Sequence, residues 1–178
     1  TIPQIGLILY IINLKPGRKL SDFDLRPLRA ADIPKGLLTL AGIYLCIIPL
    51  GFIAVILVPE LDNPVIYGAG WEFSNFKLIP LVFLSCLATG YSEELFFRAY
   101  LIKTLRRAGS GLVPAVIVST LLFAAGHIYA GYFAFAAIAV IGAFLAFIFI
   151  KTRSIHAVAI GHGLYNFSVL IISMLEVT

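Results

Sequence analysis

Charge is what this chain most lacks. Asp, Glu, Lys and Arg make up 12% of its 178 residues, about half the ~25% usual for a soluble domain. With 61% hydrophobic residues and a mean hydropathy of +1.02, an ordinary water-soluble fold is excluded. Cysteine is almost missing as well. Cys46 and Cys86 both sit in apolar runs, where they read as small apolar fillers, and that excludes a disulfide framework. There is a single tryptophan, Trp71, which shares a stretch with Tyr67 and Phe73 and suits a membrane interface. The opening residues show no charged leader and no small-residue cleavage site, so no signal peptide is expected. No internal repeat and no low-complexity tail is visible.

What the chain does have is long apolar runs. Counting stretches near the ~20 residues needed to cross a bilayer gives six segments, at 2–14, 36–58, 78–102, 112–130, 133–150 and 155–175. The expected fold is therefore all-α, a polytopic bundle of about six transmembrane helices forming a single transmembrane domain over 1–178. Pro49, Pro80 and Pro114 lie inside or at the start of runs, which lipid-embedded helices tolerate when neighbours satisfy the freed carbonyls.

The few charges fix an expected orientation. Of the 13 Lys and Arg residues, all but Lys77 and Arg98 fall in the loops after segments one, three and five. The loop after segment two instead carries Glu60, Asp62 and Glu72. By the positive-inside rule the basic loops are cytoplasmic and both termini lie outside. Basic residues grouped in this way are a topology signal, so the net charge of +4 does not indicate a nucleic-acid partner. The loop at 15–35 interleaves its cations with Leu20, Phe23, Leu25, Leu28 and Ile33, which fits either an amphipathic piece lying on the membrane surface or a plain connector.

Three charges break the third apolar run: Glu93, Glu94 and Arg98. Each would cost at least ~2.5–3.5 kcal/mol at the bilayer centre, so they must pair, face a wet cavity or do chemistry. Glu94 and Arg98 are spaced i,i+4 with the acid first, the favourable order for a helical pair. Glu93 lies ~100° round the helix, so one carboxylate is paired and the other is left free. A partly desolvated carboxylate is a better proton acceptor. A buried ion pair with a bystander acid fits these three residues equally well.

Two more segments carry polar groups at one-turn spacing. Phe123 and His127 are four apart, with Gly126 allowing a close helix approach. His162 and Asn166 are also four apart and share a face. His156, at the start of the last segment beside Arg153, reads as a satisfied structural histidine outside any site. Glu, His, and His with Asn are the groups needed to activate water and hold an oxyanion.

In that order, Glu93-Glu94-x-x-x-Arg98, Phe123-x-x-x-His127 and His162-x-x-x-Asn166 resemble the three signature motifs of the CPBP (CAAX protease and bacteriocin-processing, or Abi) intramembrane proteases, which include the type II CAAX prenyl endopeptidases. The resemblance covers a catalytic core of about 78–175. It implies an intramembrane endopeptidase that cuts near the C-terminus of a membrane-tethered or lipidated peptide or protein. Glu93 would then be the base for the attacking water with His127 as its partner. His162 and Asn166 would donate to the oxyanion. Glu94 and Arg98 would form the orienting ion pair, with Glu94 assisting. Glu plus two His also matches a zinc set, Glu93, His127 and His162, but there is no His-Glu-x-x-His motif and Asn is a poor zinc ligand. A metal-free mechanism with no cofactor is preferred, and zinc is the alternative.

Depth along the helices poses one difficulty. At 1.5 Å per residue, Glu93 lies ~15 Å from the basic loop at Lys103, whereas His127 lies ~24 Å from Gly111. A late start or a bend in the fourth segment has to absorb the difference. Two other functions share the composition: a catalytically silent family member acting as an immunity factor or membrane scaffold, and a proton-coupled transporter. Six segments without an inverted repeat argue against the transporter.

Overall fold

A backbone surrounded by hydrocarbon must satisfy its own N–H and C=O groups, and one apolar segment can do so only as a helix. The computed structural model describes residues 1–14, 19–57 and 76–176, and every regular element among them is helical. The protein is an all-α membrane protein. Helix α1 is Ile2–Asn13, with Pro3 in its first turn, where no donor is missed. Helix α2, Asp32–Leu57, carries Pro49 in its interior. Helix α3, Ile79–Glu94, starts with Pro80 and passes at Leu95–Ile102 into a π-helical stretch, then into α4, Lys103–Arg107. Helix α5 is Leu112–Ala125, α6 is Tyr132–Thr152 and α7 is Ile155–Glu176.

Among the described residues four helices are long and apolar enough to cross a membrane: Asp32–Leu57, Phe76–Arg107, Tyr132–Thr152 and Ile155–Met174. Helices α1 and α5 are apolar but shorter. The 14 residues of α5 reach ~21 Å, less than the ~30 Å hydrocarbon thickness. The fourth run was expected to stay helical to 130, and it stops at Ala125 for a local reason. The His127 ring donates from Nδ1 to the Phe123 carbonyl at 3.0 Å, while the His127 backbone N–H turns back to Ala124 at 2.9 Å. A side chain has taken over the last helical acceptor, and a 3₁₀ turn at Ile128–Ala130 follows.

Helix α7 is the centre of the packing, with α2 on one side and α3 on the other. Three glycines allow this. A Cβ on Gly161 would lie 2.6 Å from the Thr39 Cβ and 2.9 Å from the Gly36 carbonyl of α2. A Cβ on Gly163 would lie 2.8 Å from the Leu87 Cα of α3, and one on Gly90 would lie 2.7 Å from the Gly163 nitrogen. Backbones touch on both sides, as small residues permit between membrane helices.

The basic loops gather at one end of the bundle. Asp32 takes both arms of Arg26, at 2.6 and 2.7 Å, and the Ser154 hydroxyl at 2.7 Å. Lys103 pairs with Asp24 at 2.5 Å, and the Arg107 guanidinium sits 4.6 Å from the Phe23 ring centre. Phe23 is fully buried, so the loop after α1 is anchored at that point. The acidic loop expected after α2, with its Trp71, Tyr67 and Phe73, lies outside the described residues, apart from the stretch from Phe76 onward.

Candidate active site

The two adjacent glutamates have opposite surroundings. Glu94 is completely buried, while the Glu93 side chain keeps 27% of its exposure. Glu94 holds two partners. Its Oε2 lies 3.1 Å from Arg98 Nε, and its Oε1 accepts from His162 Nδ1 at 2.9 Å. Arg98 is also completely buried; its Nη2 donates to the Gly142 carbonyl at 3.2 Å and its guanidinium lies 4.5 Å from the Phe123 ring centre. Arg98 Nη1 and Thr120 Oγ1 have no protein partner.

A carboxylate can only accept, so Glu94 fixes the proton of His162 on Nδ1 and turns Nε2 the other way. That nitrogen lies 3.6 Å from Glu93 Oε2. This is too long for a direct hydrogen bond, and it leaves both atoms able to contact one small reactant. His162 is therefore held on three sides, by Glu94 and by the two glycine contacts of Gly161 and Gly163.

Glu93, His127, His162 and Asn166 all line one cavity of about 680 Å³. Its remaining wall is mostly apolar, including Leu81 and Val82 of α3, Ile138 and Ile141 of α6, and Leu170 of α7. Phe123 stands between the two imidazoles, with ring centres 5.2 Å from His127 and 5.7 Å from His162. No direct hydrogen bond or ion pair joins His127 to Glu93 among the described residues; the imidazole next to Glu93 is that of His162. His127 places Nδ1–H on the Phe123 carbonyl, which leaves Nε2 as its lone-pair nitrogen. Any partnership between His127 and Glu93 runs through the contents of the cavity.

A late start of segment four does not answer the depth difficulty. Segment four starts where expected, at Leu112, and His127 sits on non-helical backbone beyond its end. Such backbone is tolerated at membrane depth where it lines a cavity, and Tyr129 and Ala130 line this one.

His156 lies apart from the cavity. Its Nε2 donates to the Arg26 carbonyl at 2.7 Å, and its Nδ1 accepts from the Tyr91 hydroxyl at 2.9 Å. It ties the basic loop to α3. The pKa of Arg26, in the loop, is raised above its ordinary value, chiefly by its side-chain hydrogen bonds to Asp32.

Among the described residues no three His, Cys, Asp or Glu side chains gather as a ligand set. Glu93, His127 and His162 border the same space, and each histidine bonds through Nδ1, which leaves Nε2 as the nitrogen a metal could take.

The helices and the buried Glu–His–Arg cluster define a class, a polytopic helical membrane protein with a charged cluster beside a cavity in its bundle. Residues 75–168 match the type II CAAX prenyl endopeptidase Rce1-like family. That is more than half of the chain, and the chain belongs to this family, which places it among the CAAX-type intramembrane proteases. No curated protein and no solved structure matches it.

Proposed function

We propose that this protein hydrolyses a peptide bond near the C-terminus of a membrane-tethered substrate, with Glu93 as the general base for water. The observation that carries the reading is the opposite treatment of the two glutamates around one imidazole. Glu94 is dry, paired and committed. Glu93 is on the cavity with a free carboxylate edge, where a water can be held against it.

In this mechanism the water oxygen attacks the carbonyl carbon as Glu93 takes one of its protons. His162, in its protonated form, donates from Nε2 to the oxyanion, and the Asn166 amide donates beside it. Preorganised donors of this kind contribute ~2.7–4 kcal/mol each in acyl transfer. As the C–N bond breaks, Glu93 passes its proton to the leaving nitrogen, giving a carboxylic acid and an amine, and the acid's proton then moves to the amine to leave a carboxylate and an ammonium. Glu94 and Arg98 act by positioning, since Glu94 sets the tautomer of His162 and Arg98 offsets its charge. His127 offers a lone pair to the water from the cavity wall.

The apolar wall suits a substrate delivered from the bilayer, lipidated or anchored by its own chain. The whole of 1–178 would act as one transmembrane domain, with the basic end facing the cytoplasm and both termini outside. The test is cleavage of pooled membrane-tethered peptides, prenylated and unprenylated, by purified protein in nanodiscs. Cleavage that disappears in Glu93→Gln supports the reading; unchanged cleavage by that variant overturns it.

A further inference from the structure

The helix that carries both glutamates changes its winding just after them. It is α-helical to Glu94 and π-helical over Leu95–Ile102, so Arg98 lies in the widened part. Hydrogen bonds in a π-helix run i→i+5, and such stretches occur mostly as single turns. A side chain inserted into the backbone ladder is one of the few causes that distort a helix locally. Here that side chain is Ser119 of α5, whose hydroxyl donates to the Phe97 carbonyl at 2.8 Å. A serine or threonine within a helix ordinarily bonds a carbonyl of its own helix one turn back, as Thr39 does to Lys35 and Thr152 to Ile148. Ser119 is fully buried and reaches across to another helix instead. It does not line the cavity that holds Glu93 and His162, so it cannot touch a substrate there.

The winding matters at Glu94. A guanidinium presented squarely to a carboxylate takes both of its oxygens. Arg98 takes one: its Nε lies 3.1 Å from Oε2, its Nη2 turns away to the Gly142 carbonyl, and its Nη1 has no protein partner. Oε1 is thereby left for His162 Nδ1, at 2.9 Å. The guanidinium has too few bonds of its own to fix that approach, so the backbone that carries it must do so. We propose that Ser119 is a positioning residue. By holding the carbonyl of Phe97, the neighbour of Arg98, it keeps the π-helical winding and keeps Arg98 off Oε1, so that Glu94 can orient His162. The inference rests on His162 acting in the proposed hydrolysis, and it goes beyond that reading by adding a residue that lies outside the three motifs.

The test pairs NMR of isotope-labelled histidine in nanodisc-embedded protein with kcat and KM on the peptide pool. The chain has three histidines, so the His162 Nδ1–H signal is assigned by replacing His127 and His156 in turn. Ser119→Ala removes the donor. It should move or broaden the His162 signal, leave that of His156 in place, and lower kcat per folded protein by about tenfold or more with KM little changed, since a misplacement of about 1 Å can cost about 10²-fold. Ser119→Thr keeps the hydroxyl and should restore both readouts. Ser154→Ala loses a different buried hydroxyl bond, the one to Asp32, and should lose stability with the His162 signal unmoved. If Ser119→Ala does not fold, Ser119→Cys, a weaker donor of similar size, carries the same two readouts. A His162 signal that stays in place in the folded Ser119 variant, one that moves equally in Ser154→Ala, or an unchanged kcat overturns the positioning role. No cleavage of any peptide by the wild type overturns the proteolytic reading, and the NMR comparison alone then decides whether Ser119 holds His162.

Discussion

Removing the charge of Glu94 should damage two properties at once, and a compensated double variant should separate them. Glu94 and Arg98 are both completely buried, and Glu94 also holds the Nδ1 proton of His162. In Glu94→Gln the carboxamide can present its oxygen to only one of these donors. If the oxygen stays on His162, the amide NH₂ faces the guanidinium and a buried cation loses its counter-charge, at a cost of about 3–5 kcal/mol. If the oxygen turns to Arg98, His162 must move its proton to Nε2. Either way the carboxylate that favours the protonated imidazole is gone, and weakening an oxyanion donor of this kind costs up to about 10²–10³ in kcat. Glu94→Leu with Arg98→Met replaces the whole pair by apolar groups, which is often neutral for stability or better, yet leaves His162 without its acceptor. The expected pattern is a less stable, weakly active Glu94→Gln and a stable, weakly active double variant. Glu93→Gln should be as stable as the wild type, because its side chain is partly exposed and outside the Arg98 pair, and it should be the least active of the three. Thermal unfolding in nanodiscs and cleavage of the peptide pool measure the two properties. A double variant with near-wild-type cleavage would refute the positioning role of Glu94.

Other outcomes follow from the same geometry. Gly163→Ala places a methyl 2.8 Å from the Leu87 Cα, so it should destabilise by about 1–3 kcal/mol and lower activity by displacing His162. Gly6→Ala meets nothing within 4 Å and should be neutral or stabilise α1 by up to about 1 kcal/mol; equal unfolding temperatures for these two variants would contradict the packing argument. His156→Ala strips partners from Tyr91 and the Arg26 carbonyl and should cost about 1–3 kcal/mol of stability, with kcat measured on the folded protein changing less than about tenfold. If Glu93 works without metal, purified protein should hold no stoichiometric zinc by elemental analysis and keep its activity after prolonged chelation. About one zinc per chain, with activity lost on chelation and restored by zinc, would return Glu93, His127 and His162 to the role of ligands.

The membrane class and the helical fold were legible because both rest on composition and run length, which need no tertiary information. The Glu94–Arg98 pairing was readable from i,i+4 spacing, and it persists although the helix turns π at Leu95. The role of Glu94 toward His162 was not readable, because it joins residues 68 apart in the chain. The end of α5 escaped for a different reason. Phe123 and His127 were read as two groups on one face of a continuing helix, whereas the same spacing lets the imidazole reach the Phe123 carbonyl and close the helix off. The glycine contacts did leave a signal. Ala157 with Gly161, and Ala159 with Gly163, repeat small residues four apart, the pattern of close-packed membrane helices, on the two sides of His162. The Asp32–Arg26–Ser154 clamp gave no local sign, since Asp32 at the head of an apolar run looks like an ordinary first-turn acid.

The glycine-to-backbone contacts of α7 also govern how such a protein could change its diet. On the side formed by α3 and α7, Gly90 and Gly163 leave no room for a single added carbon, so mutation there moves the catalytic atoms before it reshapes the cavity. On the opposite side α6 contributes Ala134, Ala137 and Ile138, none of which bonds to the Glu–His–Arg cluster. Larger or smaller side chains at those three positions would alter the room offered to a substrate while His162 stays where Glu94 holds it. One side of the chamber is conservative and the other adaptable, so descendants with different tastes should differ on α6 and agree on α7.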